Sequence, residues 1–505
     1  MESKNRSLIK NRKNVNSVFV FDLDGVIVDT LSSLYRVYLE FLGDLGIKGN
    51  NEEFNQLNGP SLTEIISFLK EKYHLSQGKE ELLERYDQKI KESYITVVLI
   101  DGAEEILKLL KNRGFSVALA SSSKERNIQF ILNKFNLNQY FDFVVSGDEV
   151  TTSKPSPEIY HLVRDKFCGR NENNNNNSMN NNNNNSSNEY KFYVIEDSFN
   201  GLKSAISAGM EGIHFNPSGQ TVEVHPSYTI SEMKEMENIV LEIETSCKIE
   251  ALSSEFEVKV KALDLDLSPE QEQTVNEIWT EETGKNHKLF NGQIISYLSH
   301  HFEGSVLVIE SFVTEYKYFL AKLRDVSLDI KIIPLAVSGI IFDQENNILV
   351  ARRESVTEYK DSYEFLPSGG ISVSSVHRGI VSFEDQLREE FAEETGMSKA
   401  VIKEIQPFCF ILDRKHQVYD ICCQIFLQTS LKEEASLKEK NNLRREYSIP
   451  EIVSSDHLLD FVNANIFVPT SIAIARILEN KFRQKKMERD KPMGYDSVIF
   501  SLFLH

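Results

Sequence analysis

Asp22 and Asp24 stand two residues apart at the end of SVFVFDLDG, and Glu390, Glu393 and Glu394 stand at helical spacing in REEFAEETG. Clusters of hard carboxylate oxygens hold Mg²⁺ or Mn²⁺ and set the cation against a phosphate. Cleaving a phosphate ester needs a nucleophile, a proton shuttle, a screening cation and donors for the transferring oxygens. In the first cluster Asp22 and Asp24 can divide in-line attack and acid/base work between them, both are candidate metal ligands, and Gly25 permits a tight turn behind them. Ser121 and Ser122 in ASSS supply hydroxyl donors, Lys154 in TTSKPSPEIY supplies a cation, and Glu196 with Asp197 in VIEDS supply further metal ligands. Asp29 suits turn or helix capping at least as well as chemistry. In the second cluster, residues at i, i+3 and i+4 share one helix face, so three glutamates are expected to converge. Three packed carboxylates repel one another unless a divalent cation neutralises them, whereas EEFAEE read by itself is a solvated acidic face.

The elements that must carry these groups follow from the apolar runs. SVFVFDL, GFSVALASSS, FDFVVSG and KFYVIEDS read as buried strands, with a mostly helical stretch from Leu31 to about Tyr94 and helical segments between the strands. Strands alternating with helices make a parallel sheet covered on both faces, and such sheets bind ligands at the carboxyl ends of their strands. Every polar cluster of this half falls at such an end. Residues 171–188, almost all asparagine and serine, lack apolar area to bury and read as a disordered surface loop within the domain. The Glu-rich stretch from about Thr229 to Ala262 reads as the junction between two halves. Beyond it come strands at LAVSGIIFD, NILVARR and VYDICCQIFLQTS, the pair Gly369 and Gly370, and an acidic helix capped by Ser382 with Asp385 and by Gly396.

A chain of 505 residues exceeds one ordinary core and suggests roughly two to four domains of about 100–200 residues. Its net charge of −20 disfavours nucleic acid, whose phosphates are bound mainly through Lys and Arg; a small anion remains acceptable once a bound Mg²⁺ reverses the local charge. Five cysteines without zinc-like pairing read as reduced thiols, with Cys422 and Cys423 in a buried strand. No apolar run spans a bilayer and MESKNRSLIKNRKN lacks the apolar segment of a secretory signal, so a soluble cytoplasmic location is expected.

From about Ser17 to Gly219, DLDGVIVDT, ASSS, SKPSPEIY and IEDSFNGLKSAISAGM together resemble the haloacid dehalogenase superfamily, in its branch with a helical cap after the first strand. The resemblance implies that Asp22 forms an aspartyl-phosphate and Asp24 acts as general acid/base. It also implies that Ser121 and Lys154 hold the phosphoryl group and that Mg²⁺ sits between Asp22, Glu196 and Asp197. The sugar-phosphate mutases of this branch carry a histidine early in the first cap helix, where this chain has Leu34, and an arginine in the cap loop, where it has NGPSLTEII. Hydrolysis of a small phosphomonoester is the better expectation.

FLPSGG followed by SFEDQLREEFAEETGM resembles the Nudix hydrolases, which use a loop-helix-loop to bind metals and attack a diphosphate with water. The resemblance makes Glu390, Glu393 and Glu394 the metal carboxylates, with one of them, Glu393 the first candidate, or a distant acid as the base, and Gly369 and Gly370 the opening of the loop. The chain departs from the family's pattern in three places. Glu389 stands where an arginine is usual, with Arg388 one place early; Val381 stands where a glutamate is usual; and ISVSSVHRGI adds residues to the loop. Upstream, Trp279 reads as a core residue and Asn291-Gly292 as a hairpin turn.

The reading is thus α/β throughout. A three-layer α/β/α core with a helical cap is expected over 16–245 (cap about 31–100), a substrate or support region over 250–335, and a Nudix sandwich with a mixed sheet over 336–505. It implies a Mg²⁺-dependent bifunctional hydrolase of small phosphorylated metabolites and nucleoside diphosphate derivatives, with Mn²⁺ an option at the second site. Two other readings stay open: a phosphatase regulated by a nucleotide-binding Nudix domain, and a sugar-phosphate mutase.

Overall fold

The computed structural model describes residues 17–175, 190–219, 221–287, 289–354, 359–433 and 447–489. They form two compact units that divide between Val240 and Leu241.

In the first unit the strands β1 (Ser17–Phe21), β2 (Ser116–Ala120), β3 (Phe143–Val145), β4 (Lys191–Glu196), β5 (Glu211–Phe215) and β6 (Tyr228–Ile230) form one sheet in the order β3-β2-β1-β4-β5-β6. Every pairing is parallel, as expected, and the central strand β1 aligns Phe21 with Leu119 on one side and Ile195 on the other. That register brings the residues after β1, β2 and β4 to one edge of the sheet. Phe19 and Phe21 are fully buried, each contributing on the order of 1.5–3 kcal/mol relative to exposure. The strands β5 and β6 extend the sheet beyond the four read from sequence.

Between β1 and β2 the chain makes five helices; the first four, α1 (Leu31–Asp44), α2 (Asn51–Gln56), α3 (Leu62–Lys72) and α4 (Lys79–Tyr94), have their own apolar cluster around Tyr38, Phe41, Ile66 and Leu82, and the fifth, Ala103–Asn112, leads into β2. Buried Glu53 pins this cap internally: it accepts from Tyr38 Oη at 2.5 Å and from Tyr73, and it pairs with Lys72. The start of α3 is fixed by a capping box between Ser61 and Glu64.

Helix Glu158–Asn175 runs into the asparagine tract expected to be irregular from 171; the remainder of that expected loop, 176–188, lies outside the described residues. The division between the two units falls within the Glu-rich stretch read as their junction, and that stretch is structured. It contains β6 and the helix Met236–Thr245, and buries Met233, Met236 and Val240: its apolar residues recur at helical spacing among the acidic ones.

The second unit is α/β with two mixed sheets. Strands β7 (Cys247–Ala251), β8 (Phe256–Lys261), β9 (Gln293–Glu303) and β10 (Val306–Glu315) precede β11 (Leu335–Phe342), β12 (Asn347–Arg352), β13 (Tyr363–Phe365) and β14 (Ser368–Gly370). After them come β15 (Val376–His377), β16 (Ile380–Val381), β17 (Ile402–Asp413), β18 (Val418–Leu427) and β19 (Glu451–Ser454). One sheet runs β13-β12-β11-β18-β17-β7, with β14 on β11 and β19 on β12; the other runs β15-β16-β8-β10-β9. The two halves expected at 250–335 and 336–505 are therefore interleaved: β7 pairs with β17, and β16 pairs with β8. The extra residues ISVSSVHRGI supply the β15–β16 hairpin that makes this second connection. Asn291 and Gly292 do not form a hairpin; Asn291 Oδ1 accepts from Lys317 N at 2.9 Å, at the start of helix Tyr316–Arg324. Trp279 is half-buried and meets Tyr316 edge-on, and Cys409, Cys422 and Cys423 are buried. Among the described residues no helix is long and apolar enough to cross a membrane.

Candidate active site

The chain leaves β1 directly into Asp22, and Gly25, at φ +82, turns it back. A Cβ on Gly25 would lie 2.5 Å from Asp197 Oδ2, so the glycine serves both the turn and the approach of Asp197. Glu196 ends β4 and is fully buried. Asp22, Glu196 and Asp197 each offer an oxygen within 4.8 Å of the others, the one such three-residue group among the described residues. Lys154 Nζ, itself buried, donates to Asp22 Oδ1 at 2.5 Å and to Glu196 Oε1 at 2.6 Å. Tyr160 Oη adds a bond to Glu196 at 2.7 Å, and Ser198 Oγ one at 3.2 Å.

Three carboxylates against one ammonium leave an excess of negative charge in a dry place. Burial, together with the Glu196 charge, pushes the Asp197 carboxyl up to about 8 and drives Asp22 upward against the pull of Lys154. Burial would lower the Lys154 ammonium, but Asp22 and Glu196 outweigh it and hold the ammonium well above its ordinary value. This donor set fits a hard divalent cation, which would satisfy the excess that otherwise demands a proton.

Asp24, read as both acid/base and metal ligand, stands outside the three-oxygen group. Its carboxylate turns from the three-oxygen group and accepts from Ser123 Oγ at 2.8 Å and Tyr94 Oη at 3.0 Å. Burial raises its carboxyl although these bonds oppose the rise, so it is suited to hold and release a proton rather than to ligate. Ser121 is buried, and its Oγ accepts from Ser123 N at 3.0 Å; Ser122 Oγ donates to the Gly59 carbonyl at 2.5 Å. The cap loop also touches the core through Asn58, which donates to Asp197 at 3.4 Å. Asp29 is exposed just before α1. A cavity of about 360 Å³ opens above Asp22, with Ser121, Ser122 and Lys154 on the core side and Leu34, Phe54 and Ile65 on the cap side.

Over residues 19–215 the chain matches the family model described as haloacid dehalogenase-like hydrolase. Its N-terminal part is a haloacid dehalogenase-like hydrolase. The same region is 28% identical over 196 residues to a phosphorylated carbohydrates phosphatase of Thermotoga maritima, covering 39% of this chain and 82% of that protein. It is 26% identical over 221 residues to 6-phosphogluconate phosphatase of Escherichia coli (43% and 89%). A phosphoglycolate phosphatase of Aquifex aeolicus is 33% identical over 147 residues (28% and 65%). Among solved structures, CbbY of Rhodobacter sphaeroides in complex with phosphate is similar at 20% identity and a TM-score of 0.35, over 43% of this chain and 95% of that one.

In the haloacid dehalogenase-like unit, Gly201 makes the strictest demand on side-chain size. A Cβ there would stand 2.0 Å from Glu196 Cδ, and Glu196 is fixed by Lys154, Tyr160 and Ser198. Gly201→Ala is expected to displace Glu196, weaken Mg²⁺ dependence at least tenfold and cost about 1–3 kcal/mol of stability. A Mg²⁺ titration of phosphate release alongside thermal unfolding checks this. Gly169→Ala, on the same unit with open space around its Cα, is the matched control.

Outside that unit, helix Phe383–Thr395 carries the second cluster. Ser382 Oγ accepts from Asp385 N at its start, and Gly396, at φ +70, ends it. Glu390 and Glu394 are buried and face β14: Ser368 N donates to Glu394 Oε2 at 3.1 Å, and a Cβ on Gly369 would stand 2.5 Å from Glu390 Cδ. Gln386 Nε2 donates to Glu390 Oε1 at 2.9 Å. Gly370 has open space around it. Glu393, about 100° round the helix from Glu394, is exposed, and the three glutamates do not bring their oxygens into one group as expected. Val381 is a core residue between β8 and helix Phe383–Thr395, and Glu389 pairs with Lys399. Sequence reasoning missed Glu364, a buried carboxylate that accepts from Arg353 Nη1 at 2.8 Å and Tyr447 Oη at 2.9 Å. Its place in EFLPSGG, just before Ser368 and Gly369, was the available signal.

Proposed function

We propose that the first unit is a Mg²⁺-dependent phosphatase of small phosphomonoesters, working through an aspartyl-phosphate on Asp22, in a soluble cytoplasmic protein. The observation that carries this reading is the convergence of Asp22, Glu196 and Asp197 around Lys154 at the floor of a capped cavity. An Asp22 carboxylate oxygen attacks phosphorus in line, the ester P–O bond breaks, and the leaving oxygen takes a proton from Asp24. Asp24 then removes a proton from water, which attacks phosphorus; the bond to Asp22 breaks and inorganic phosphate leaves. Lys154 and the Ser121 hydroxyl orient the phosphoryl oxygens, and Ser123 and Tyr94 hold Asp24 toward the cavity. Asp22, Glu196 and Asp197 would hold a Mg²⁺, which would supply charge neutralisation for the phosphoryl group. Hydrolysis is favoured over mutase chemistry because Leu34 contributes no proton to the cavity and no histidine lines it. A screen of sugar phosphates and phosphoglycolate for Mg²⁺-dependent phosphate release tests the reading; no release from any of them, with folded protein, defeats it.

For the second unit the reading is a Nudix-type diphosphatase of a nucleoside diphosphate derivative, with Mg²⁺ or Mn²⁺. It is supported by the close packing of Ser368 and Gly369 on Glu394 and Glu390. Glu393→Gln, at an exposed position, leaves packing alone and is expected to cut diphosphate cleavage at least 100-fold while phosphomonoester release stays unchanged. Nucleotide binding without cleavage in the wild type would instead favour a sensor that regulates the phosphatase.

A further inference from the structure

Charge at the cavity wall is distributed in a way that selects among phosphate esters. Asp22, Asp24, Glu64, Asp87, Asp148 and Glu196 line it against only Lys124 and Lys154 among the lining residues. Lys154 serves the phosphoryl end, beside Asp22 and Glu196. The other cation, Lys124, follows ASSS and lies on the wall between core and cap, where it would meet the far end of a substrate. It is not available there: its Nζ stands 3.2 Å from Asp87 Oδ1.

Asp87 belongs to cap helix α4, yet its partners lie mainly on the core. Arg126 pairs with Oδ2, Lys91 of the same helix adds a contact at 2.8 Å, and the Asp87 side chain is only 4% exposed. Burial would raise its carboxyl, but Lys91, Arg126 and Lys124 hold it down at about 2. The carboxylate is therefore ionised at any working pH. Outside the metal end of the cavity, three carboxylates, Glu64, Asp87 and Asp148, then share the wall with one lining ammonium, Lys124, which Asp87 holds; Lys91 and Arg126, the other cations on Asp87, do not line it. The cap wall also carries the apolar side chains Phe54, Leu57, Ile65 and Ile90.

We propose that Asp87 is a specificity-determining residue that masks Lys124, so that the phosphatase accepts monoesters whose far end is uncharged, such as sugar or polyol monophosphates, and rejects those ending in a carboxylate or second phosphate. The proposal rests on the phosphatase reading of this site. An anionic far end must either desolvate against Asp87 and Glu64 or displace Asp87 from Lys124, and like-charge juxtaposition of this kind is a strong basis for exclusion.

The test is the ratio of kcat/KM for a hexitol monophosphate to that for phosphoglycolate, measured on wild type, Asp87→Asn and Asp87→Glu with Mg²⁺. A ratio within one preparation is independent of how much of a variant is folded. The wild-type ratio is expected to exceed 10; it should fall at least tenfold in Asp87→Asn and be largely restored in Asp87→Glu. A ratio near or below one in wild type, or one that Asp87→Asn does not move, overturns the masking role. Failure of the wild type to release phosphate from either ester, while Asp22→Asn behaves identically, defeats the phosphatase reading itself, so the two failures are distinguishable.

Discussion

Asp22→Asn should abolish phosphomonoester turnover, by roughly 10⁴-fold or more in kcat, because an amide oxygen cannot form the covalent intermediate through which both half-reactions pass. The substitution is nearly isosteric, and removing one of three crowded carboxylate charges relieves repulsion, so the folded state should be at least as stable as the wild type. Loss of activity together with an undiminished urea midpoint is the expected pair of results. Residual turnover within tenfold of wild type would mean that water, and not Asp22, attacks phosphorus. The diphosphate cleavage proposed for the second unit, assayed in the same preparation, should not change with this substitution.

Lys154→Met should be the most destabilising single change at this site. Lys154 Nζ lies 2.5 Å from Asp22 and 2.6 Å from Glu196, with its own side chain 2% exposed, so methionine leaves two buried carboxylates facing each other without their cation. Breaking a buried pair from one side costs roughly 3–5 kcal/mol. The lower end is expected here, since Asp22, already driven upward by burial, can take up a proton in response. Urea unfolding at neutral pH without divalent ions reads the loss, and added Mg²⁺ should recover part of it by binding only the native state. A loss below about 1 kcal/mol would show that the ammonium does not neutralise these groups.

These expectations rest on groups whose positions were legible because they lie at strand ends. Asp22, Ser121 and Glu196 each follow a run of apolar residues, and the parallel register of β1, β2 and β4 carries them to one edge without help from distant sequence. Tyr94 and Tyr160 gave no such signal. Tyr94 comes from the last turn of α4, 70 residues from Asp24, and Tyr160 from a helix behind the sheet, so only the packing of cap and helices onto the core brings them to the carboxylates. The turn at Gly25 aims Asp24 at Ser123 and away from the three-oxygen group, a direction that its two-residue spacing from Asp22 does not show.

In the second unit the period of an α-helix placed Glu390 and Glu394 on one face, and the structure buries both against β14. Glu393 shares the spacing but not the burial, since a residue one position round the helix turns out of a narrow contact. The interleaving of β7 and β16 between the two sheets could not be read, because strand pairing across more than a hundred residues leaves no local trace. Val381 shows the converse: its apolar character made sense only once it was seen packed in the core.

The central claim is that phosphate passes through Asp22. Mixing enzyme, Mg²⁺ and an excess of a sugar phosphate, quenching in acid within one turnover, and mapping the peptides by mass spectrometry tests it directly. The account predicts one phosphoryl group on the peptide containing Asp22, gained before free phosphate appears, and absent in Asp22→Asn. Phosphate release from wild type with that peptide never labelled, at any quench time, would contradict it.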